Sequence, residues 1–181
     1  MKKWMILTVG LTALSLSACS QSTGAETEER VARLEAQVQN LNDMNEIKLL
    51  QEQFANLADQ KDAEAQMKLF TEDAQVILNI NGESRTLDGA AEIGEAFANT
   101  LNSTDILYHM NGQGTIQVNG DTATGVAYCR VVMIDTEDGV TSHTDEGIRY
   151  TDEYVKQDGK WLIARRTSDF MFVDREQTPD M

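Results

Sequence analysis

The chain has 181 residues, with 15 lysines and arginines against 30 aspartates and glutamates, a formal net charge of −15 and a pI near 4.4. A phosphate backbone is held by clustered cations that release counterions, so this balance excludes a nucleic-acid binder. With 41% hydrophobic and 25% charged residues the composition is ordinary for a folded domain, and the length allows one domain plus an appendage.

Met1-Lys2-Lys3-Trp4 leads into an apolar run from Met5 to Leu16 and then Ser17-Ala18-Cys19. This is the three-part layout of a secretory signal, and the run is too short for a membrane span. Leu16-Ser17-Ala18-Cys19 resembles the lipobox of bacterial lipoproteins. The resemblance implies that residues 1–18 are a signal peptide, that Cys19 carries lipid, and that the chain is anchored in the cell envelope. The non-acidic Ser20 points to the outer membrane, facing the periplasm. A plain signal with an A-x-A site is the alternative. Removal of residues 1–18 deletes two lysines and no acid, taking the charge from −15 to −17. An anionic leaflet repels such a chain, so membrane attachment would rest on the lipid. Cys129 then has no partner for an internal disulfide, and its neighbours Tyr128, Arg130, Val131 and Val132 predict a buried strand position.

Residues 19–27 are small and polar, the composition of a flexible tether. Over residues 28–43, Val31, Leu34, Val38 and Leu41 alternate spacings of three and four, which predicts a heptad-patterned helix docking on its own domain or on another subunit. Asp43 and Glu46 have capping-box spacing, so a bend is expected there, with a second helix from about residue 44. That helix carries Ile47, Leu50, Phe54, Leu57 and Ala58 on one face. A short helix follows over 63–70, then a strand over 74–80, an Asn81-Gly82 hairpin turn and a return strand over 84–87. Asp88-Gly89 opens a helix through Leu101 that buries Ile93, Phe97 and Leu101.

Long strands are expected over 105–118, 122–134, 144–156 and 160–173, joined by Asn119-Gly120-Asp121, an acidic connection over 135–143, and Gln157-Asp158-Gly159. Tight turns imply antiparallel pairing, and helices followed by meandering strands make an α+β class. Gly112 and Gly114 suit a bend or bulge in the first long strand. Both parities of 122–134 are apolar, with Val126, Tyr128 and Val132 on one and Cys129, Val131 and Met133 on the other. Helices can cover only one face, so a second copy of the chain, as a dimer or trimer, is expected to cover the other.

Three stretches resemble the SnoaL-like branch of the nuclear transport factor 2-like (NTF2-like) superfamily. They are Ile47 to Phe70 with its Leu57-Ala58-Asp59 and the Leu69-Phe70-Thr71-Glu72-Asp73-Ala74 ending, Leu107-Tyr108-His109-Met110-Asn111-Gly112, and Tyr150-Thr151-Asp152-Glu153-Tyr154 with Asp158-Gly159-Lys160-Trp161-Leu162-Ile163-Ala164. The resemblance implies a cone-shaped domain over residues 44–175, with N-terminal helices packed on a strongly curved antiparallel sheet and a tail at 176–181. It is similar to scytalone dehydratase, the bile-acid 7-dehydratase and the hexachlorocyclohexane dehydrochlorinase. These share an aspartate ending the pocket helix and a histidine on the first long strand, which Asp59 and His109 match; Arg166 falls where the dehydrochlorinase has an arginine. It further implies a pocket for a small apolar molecule, walled by Leu50, Phe54, Tyr108, Met110 and Phe170. Phe54 is a departure, because two of these enzymes carry a tyrosine or lysine there and phenylalanine cannot donate a proton.

If Asp59 and His109 meet, the carboxylate fixes the ring tautomer and leaves the other nitrogen free to take a proton beside a carbonyl or leaving group. Arg166 could then face the developing anion. The reaction would be that of a cofactor-independent lyase or isomerase. Each residue also has a plainer reading: Asp59 lies off the apolar face of its helix and suits a cap, His109 suits a structural histidine, and Arg166 suits an ion pair. His143 reads as a loop residue. Met44, Met67, Met133 and Met171 read as scattered core filler. No phosphate loop, paired-cysteine metal site, serine elbow or dinucleotide fingerprint is present, so metal and organic cofactors are not expected. A non-catalytic envelope ligand-binding domain is the alternative to an enzyme, and an assembly protein is a third reading.

Overall fold

The computed structural model describes residues 17–179, with side chains for residues 24–177. The expected signal, except Ser17 and Ala18, and the side chain of Cys19 lie outside the described residues. The elements in chain order are α1 (Ser17–Asp59), α2 (Ala63–Met67), β1 (Phe70–Ile80), β2 (Glu83–Asp88), α3 (Gly89–Asn102), β3 (Ile106–Asn119), β4 (Thr122–Glu137), β5 (Val140–Gln157) and β6 (Lys160–Pro179). Two compact units divide the chain, Met1–Asn40 and Leu41–Met181. In the first, α1 includes the segment whose composition predicted a tether, and Val31, Leu34 and Val38 are exposed.

The expected bend at Asp43 is absent. Helical structure runs through it because Asp43 is buried and accepts hydrogen bonds from Lys156 Nζ at 2.6 Å and Trp161 Nε1 at 2.9 Å, from the other end of the second unit. A carboxylate tied to the sheet is not a helix cap.

The six strands form one sheet in the order β2-β1-β6-β5-β4-β3. The sheet is mixed rather than antiparallel. β1 pairs parallel with β6, from Phe70 opposite Ile163 to Asn79 opposite Asp169, because the β2–α3 excursion separates β1 from the meander. The other pairs are antiparallel. The acidic connection of 135–143 contracts to Asp138-Gly139, with φ of 51° and 73°. Asn81-Gly82 and Asp158-Gly159 likewise hold positive φ, the backbone that matches strand twist in two-residue hairpins. β6 extends past the expected end at 173 and includes part of the expected tail, pairing Val140 with Pro179.

The core of the second unit gathers Ile47, Phe54 and Ala58 of α1, Ile93 and Leu101 of α3, and the inner sheet face from Val76 to Ile163. Cys129 is buried there, and burial pushes its thiol up to about 11, so it stays protonated. β3 breaks register against β4 between Asn111 and Gly114, where the glycines predicted a bulge. A Cβ on Gly114 would stand 2.8 Å from the Val126 carbonyl oxygen, which is backbone and cannot swing away, whereas one on Gly112 meets nothing closer than 3.5 Å. Gly114→Ala should therefore lose about 1–3 kcal/mol in a urea titration and Gly112→Ala much less. Equal midpoints for the two variants would contradict the close approach.

Candidate functional site

Asp59 ends α1, where an anion opposes the helix dipole and no basic residue compensates it. Its partner is His109 on β3. Oδ1 of Asp59 lies 2.7 Å from His109 Nδ1, and the carboxylate also accepts the His109 backbone N–H, at 3.0 Å to Oδ1 and 3.2 Å to Oδ2. Both ring and backbone of His109 are thereby fixed to the helix end. A carboxylate only accepts, so in the neutral ring Nδ1 carries the proton and Nε2 keeps its lone pair. The His109 side chain is 8% exposed and that of Asp59 29%.

His109 opens onto a cavity of about 280 Å³, at the small end for ligand pockets. Phe54 from α1, Phe97 from α3, Val131 from β4, Tyr150 from β5 and Phe170 from β6 line most of its apolar wall. Phe54 packs edge-to-face against Phe70, Phe97 and Tyr150, with ring centroids 5.8–6.1 Å apart. The polar groups on the wall include His109, Glu146, Tyr150 and Arg166.

Arg166 is 2% exposed and meets Asp152, 1% exposed, in a two-point ion pair: Nε to Oδ1 at 2.9 Å and Nη2 to Oδ2 at 2.7 Å. Tyr154 donates its hydroxyl to Asp152 Oδ2 at 2.8 Å and accepts from Gln51 Nε2 at 2.8 Å. The guanidinium carbon stacks over Phe54 at 4.2 Å and Tyr150 at 4.3 Å. Burial alone would lower the Arg166 pKa, but the charge and hydrogen bonds of Asp152 outweigh it and the group stays firmly charged. Nη1 is buried without a hydrogen-bond partner among the described residues, enclosed with the rest of the guanidinium beside the rings of Phe54 and Tyr150. Burial also pushes the Tyr150 hydroxyl upward, so it stays protonated.

The structure thus brings Asp59, His109, Arg166, Phe54 and Phe170 to one place. It does not bring Tyr108 or Met110. Side chains alternate along a strand, so with His109 facing inward its neighbours face out, 53% and 50% exposed. Leu50 is buried in the core and is not among the cavity-wall residues. His143 is on β5 rather than in a loop, and is exposed. Glu146, Tyr150 and Asp152 were missed. Their signal was parity: positions 146, 148, 150, 152 and 154 read Glu, Ile, Tyr, Asp, Tyr, which sets two acids on a buried face. No group of three or more potential ligands suited to a metal ion occurs among the described residues.

A family model described as SnoaL-like domain matches residues 39–167. The fold is NTF2-like. An NTF2-like protein with a cystatin-like fold from Novosphingobium aromaticivorans is 28% identical, over 77% of this chain and 89% of that one, with a TM-score of 0.61. A protein of the same organism provisionally named a scytalone dehydratase is 20% identical, over 75% and 88%, at 0.65. The hexachlorocyclohexane dehydrochlorinase LinA-type3 of Novosphingobium barchaimii is 15% identical, over 80% and 97%, at 0.67. Among curated proteins no match is found.

Proposed function

Because the chain belongs to the SnoaL-like domain family, we propose that its cavity takes a small, largely apolar carbonyl compound and that His109, held by Asp59, removes a proton next to the carbonyl. The outcome is an elimination or isomerisation, with no cofactor invoked. The observation that carries this reading is the 2.7 Å contact between Asp59 and His109 Nδ1, which leaves Nε2 as a free base on a mostly apolar wall. Arg166, on the same cavity wall, adds a fixed positive charge that favours the developing anion. A direct test is deuterium uptake at the α-carbon of cyclohexanone in heavy water. Uptake above buffer that vanishes in His109→Asn supports the reading; identical rates in both proteins sink it.

A second reading, a non-catalytic ligand-binding domain, draws on Phe54. Its ring lies 4.2 Å from Arg166 in an aromatic cluster, where it shapes the cavity and donates nothing. Native mass spectrometry that recovers a retained apolar molecule, together with no deuterium uptake, would favour it.

The lipid anchor belongs to the proposal as well, at Cys19 and on the outer membrane facing the periplasm. Its support is Leu16-Ser17-Ala18-Cys19. No helix of the described residues is long and apolar enough to cross a membrane. Cys19→Ala should move the protein from the membrane to the soluble fraction, and unchanged retention would rule the anchor out. A homo-oligomer, dimer or trimer, completes the proposal. Ile106, Tyr108, Met110 and Tyr128 leave an exposed apolar patch on β3 and β4 for a second copy. Light scattering that finds only monomer would remove this part.

A further inference from the structure

Glu146 stands in the row that crosses the sheet from His109, because His109 pairs with Val131 and Val131 with Glu146. Directly opposed residues of antiparallel strands share a face, and all three line the cavity. Two strand spacings, about 10 Å, separate the backbones of His109 and Glu146, with the buried side chain of Val131 as the floor between. That span suits a single six-membered ring with one reacting position toward each side. Arg166 enters from farther off. Its register partner is Asp152, six residues along β5 from Glu146 and about 20 Å away at the backbone, and two of its nitrogens are already held by Asp152.

Among the described residues Glu146 forms no hydrogen bond or ion pair, whereas Asp59, Asp152 and Asp169 each have one. Burial without a cation pushes its carboxyl up to about 7, so near neutral pH a large share keeps its proton and can donate it. Phe54 provides no such donor.

We propose that Glu146 is the acid opposite the His109 base, its O–H donating to the carbonyl oxygen of a neutral cyclic ketone while His109 Nε2 takes the proton from the adjacent carbon. The inference rests on the base role given to His109 above. The C–H electrons form the new C=C bond, the carbonyl π pair takes the Glu146 proton, and a neutral enol is left between imidazolium and carboxylate. Return of a proton from His109 to carbon, and of the enol proton to Glu146, restores the protein and leaves the ketone exchanged or isomerised. The site therefore selects uncharged carbonyl compounds.

The other titratable groups on the cavity are His109 from β3, Tyr150 from β5 and Arg166 from β6. Asp59 and Asp152 are bonded to two of these, and the lining residues of α1, α2, β1, β2, α3 and β4 carry no charge. The test is NMR of the full chain labelled with carbon-13 at the glutamate carboxyl, titrated from pH 5 to 9 with and without cyclohexanone. The Glu146 signal should titrate near 7, and the ketone should raise that midpoint. Ketone affinity should fall up to about tenfold per pH unit above it, because only the protonated acid donates. Glu146→Gln keeps a neutral donor and should bind within about threefold of wild type at pH 6 while losing that fall. A midpoint at ordinary carboxylate values, or the wild-type fall persisting in E146Q, overturns the proposal. Ketone-induced shifts at the His109 ring with none at Glu146 overturn it while sparing the Asp59–His109 base. A ketone that moves neither signal overturns both.

Discussion

Replacing Asp152 by alanine is expected to cost about 3–5 kcal/mol of folding stability, and to lower the melting temperature by about 10 °C. Asp152 and Arg166 are almost fully enclosed, and arginine has no neutral form to retreat to at accessible pH. Without the carboxylate, Nε and Nη2 would join Nη1 as donors with no acceptor, and the Tyr154 hydroxyl would lose its partner as well. The aromatic faces of Phe54 and Tyr150 offset only part of that cost. The double change Asp152→Leu with Arg166→Met removes both charges at once and should recover most of the loss, since apolar residues of similar size replace a buried pair at little expense. Urea titrations of the three proteins decide the matter. A loss under about 1 kcal/mol in Asp152→Ala would mean that water reaches the pair and that the cavity is wetter than the burial of these groups implies.

The second large effect is on proton transfer. His109→Asn should reduce the cyclohexanone exchange rate by about 10²–10⁴-fold, the usual worth of a positioned general base. Asp59→Asn separates orientation from chemistry. An asparagine carbonyl can still accept the His109 backbone N–H, so the end of α1 stays joined to β3. The ring, however, loses the acceptor that keeps the proton on Nδ1, and an amide turned the other way would hold it on Nε2, where the free lone pair is needed. A rate loss of similar size with an unchanged melting temperature is therefore expected. Full activity in Asp59→Asn would reduce that residue to a helix-end tie and leave His109 acting alone.

Much of the fold was legible because its signals are local. Asn81-Gly82 and Asp158-Gly159 announce hairpins through their tolerance of positive φ, and Gly112 and Gly114 announce the β3 bulge. The failures were also local in origin. Asp43 satisfies a capping-box pattern, but its carboxylate is occupied by Lys156 and Trp161, more than a hundred residues away, and no window along the chain contains that fact. The acids of 135–143 suggested a loop, yet Asp138-Gly139 alone makes the turn, because both flanking segments have strands to pair with.

The candidate site divides in the same way. Asp59 and His109 were nominated by family resemblance, since helical periodicity alone put Asp59 on a solvated face. Tyr108 and Met110 were assigned to the cavity with them, although strand alternation cannot turn three successive side chains to one side. Glu146 escaped notice because an acid on a strand is ordinarily an exposed acid.

By itself, the sequence determined the α+β order of elements, the hairpins and bulge, and the burial of Cys129, because each depends on turn chemistry or short-range alternation. Only the tertiary structure decided the parallel pairing of β1 with β6, the enclosure of Arg166 by Asp152, and the row joining His109 to Glu146. These depend on register between strands far apart in the chain, and register is fixed when all the strands pack at once.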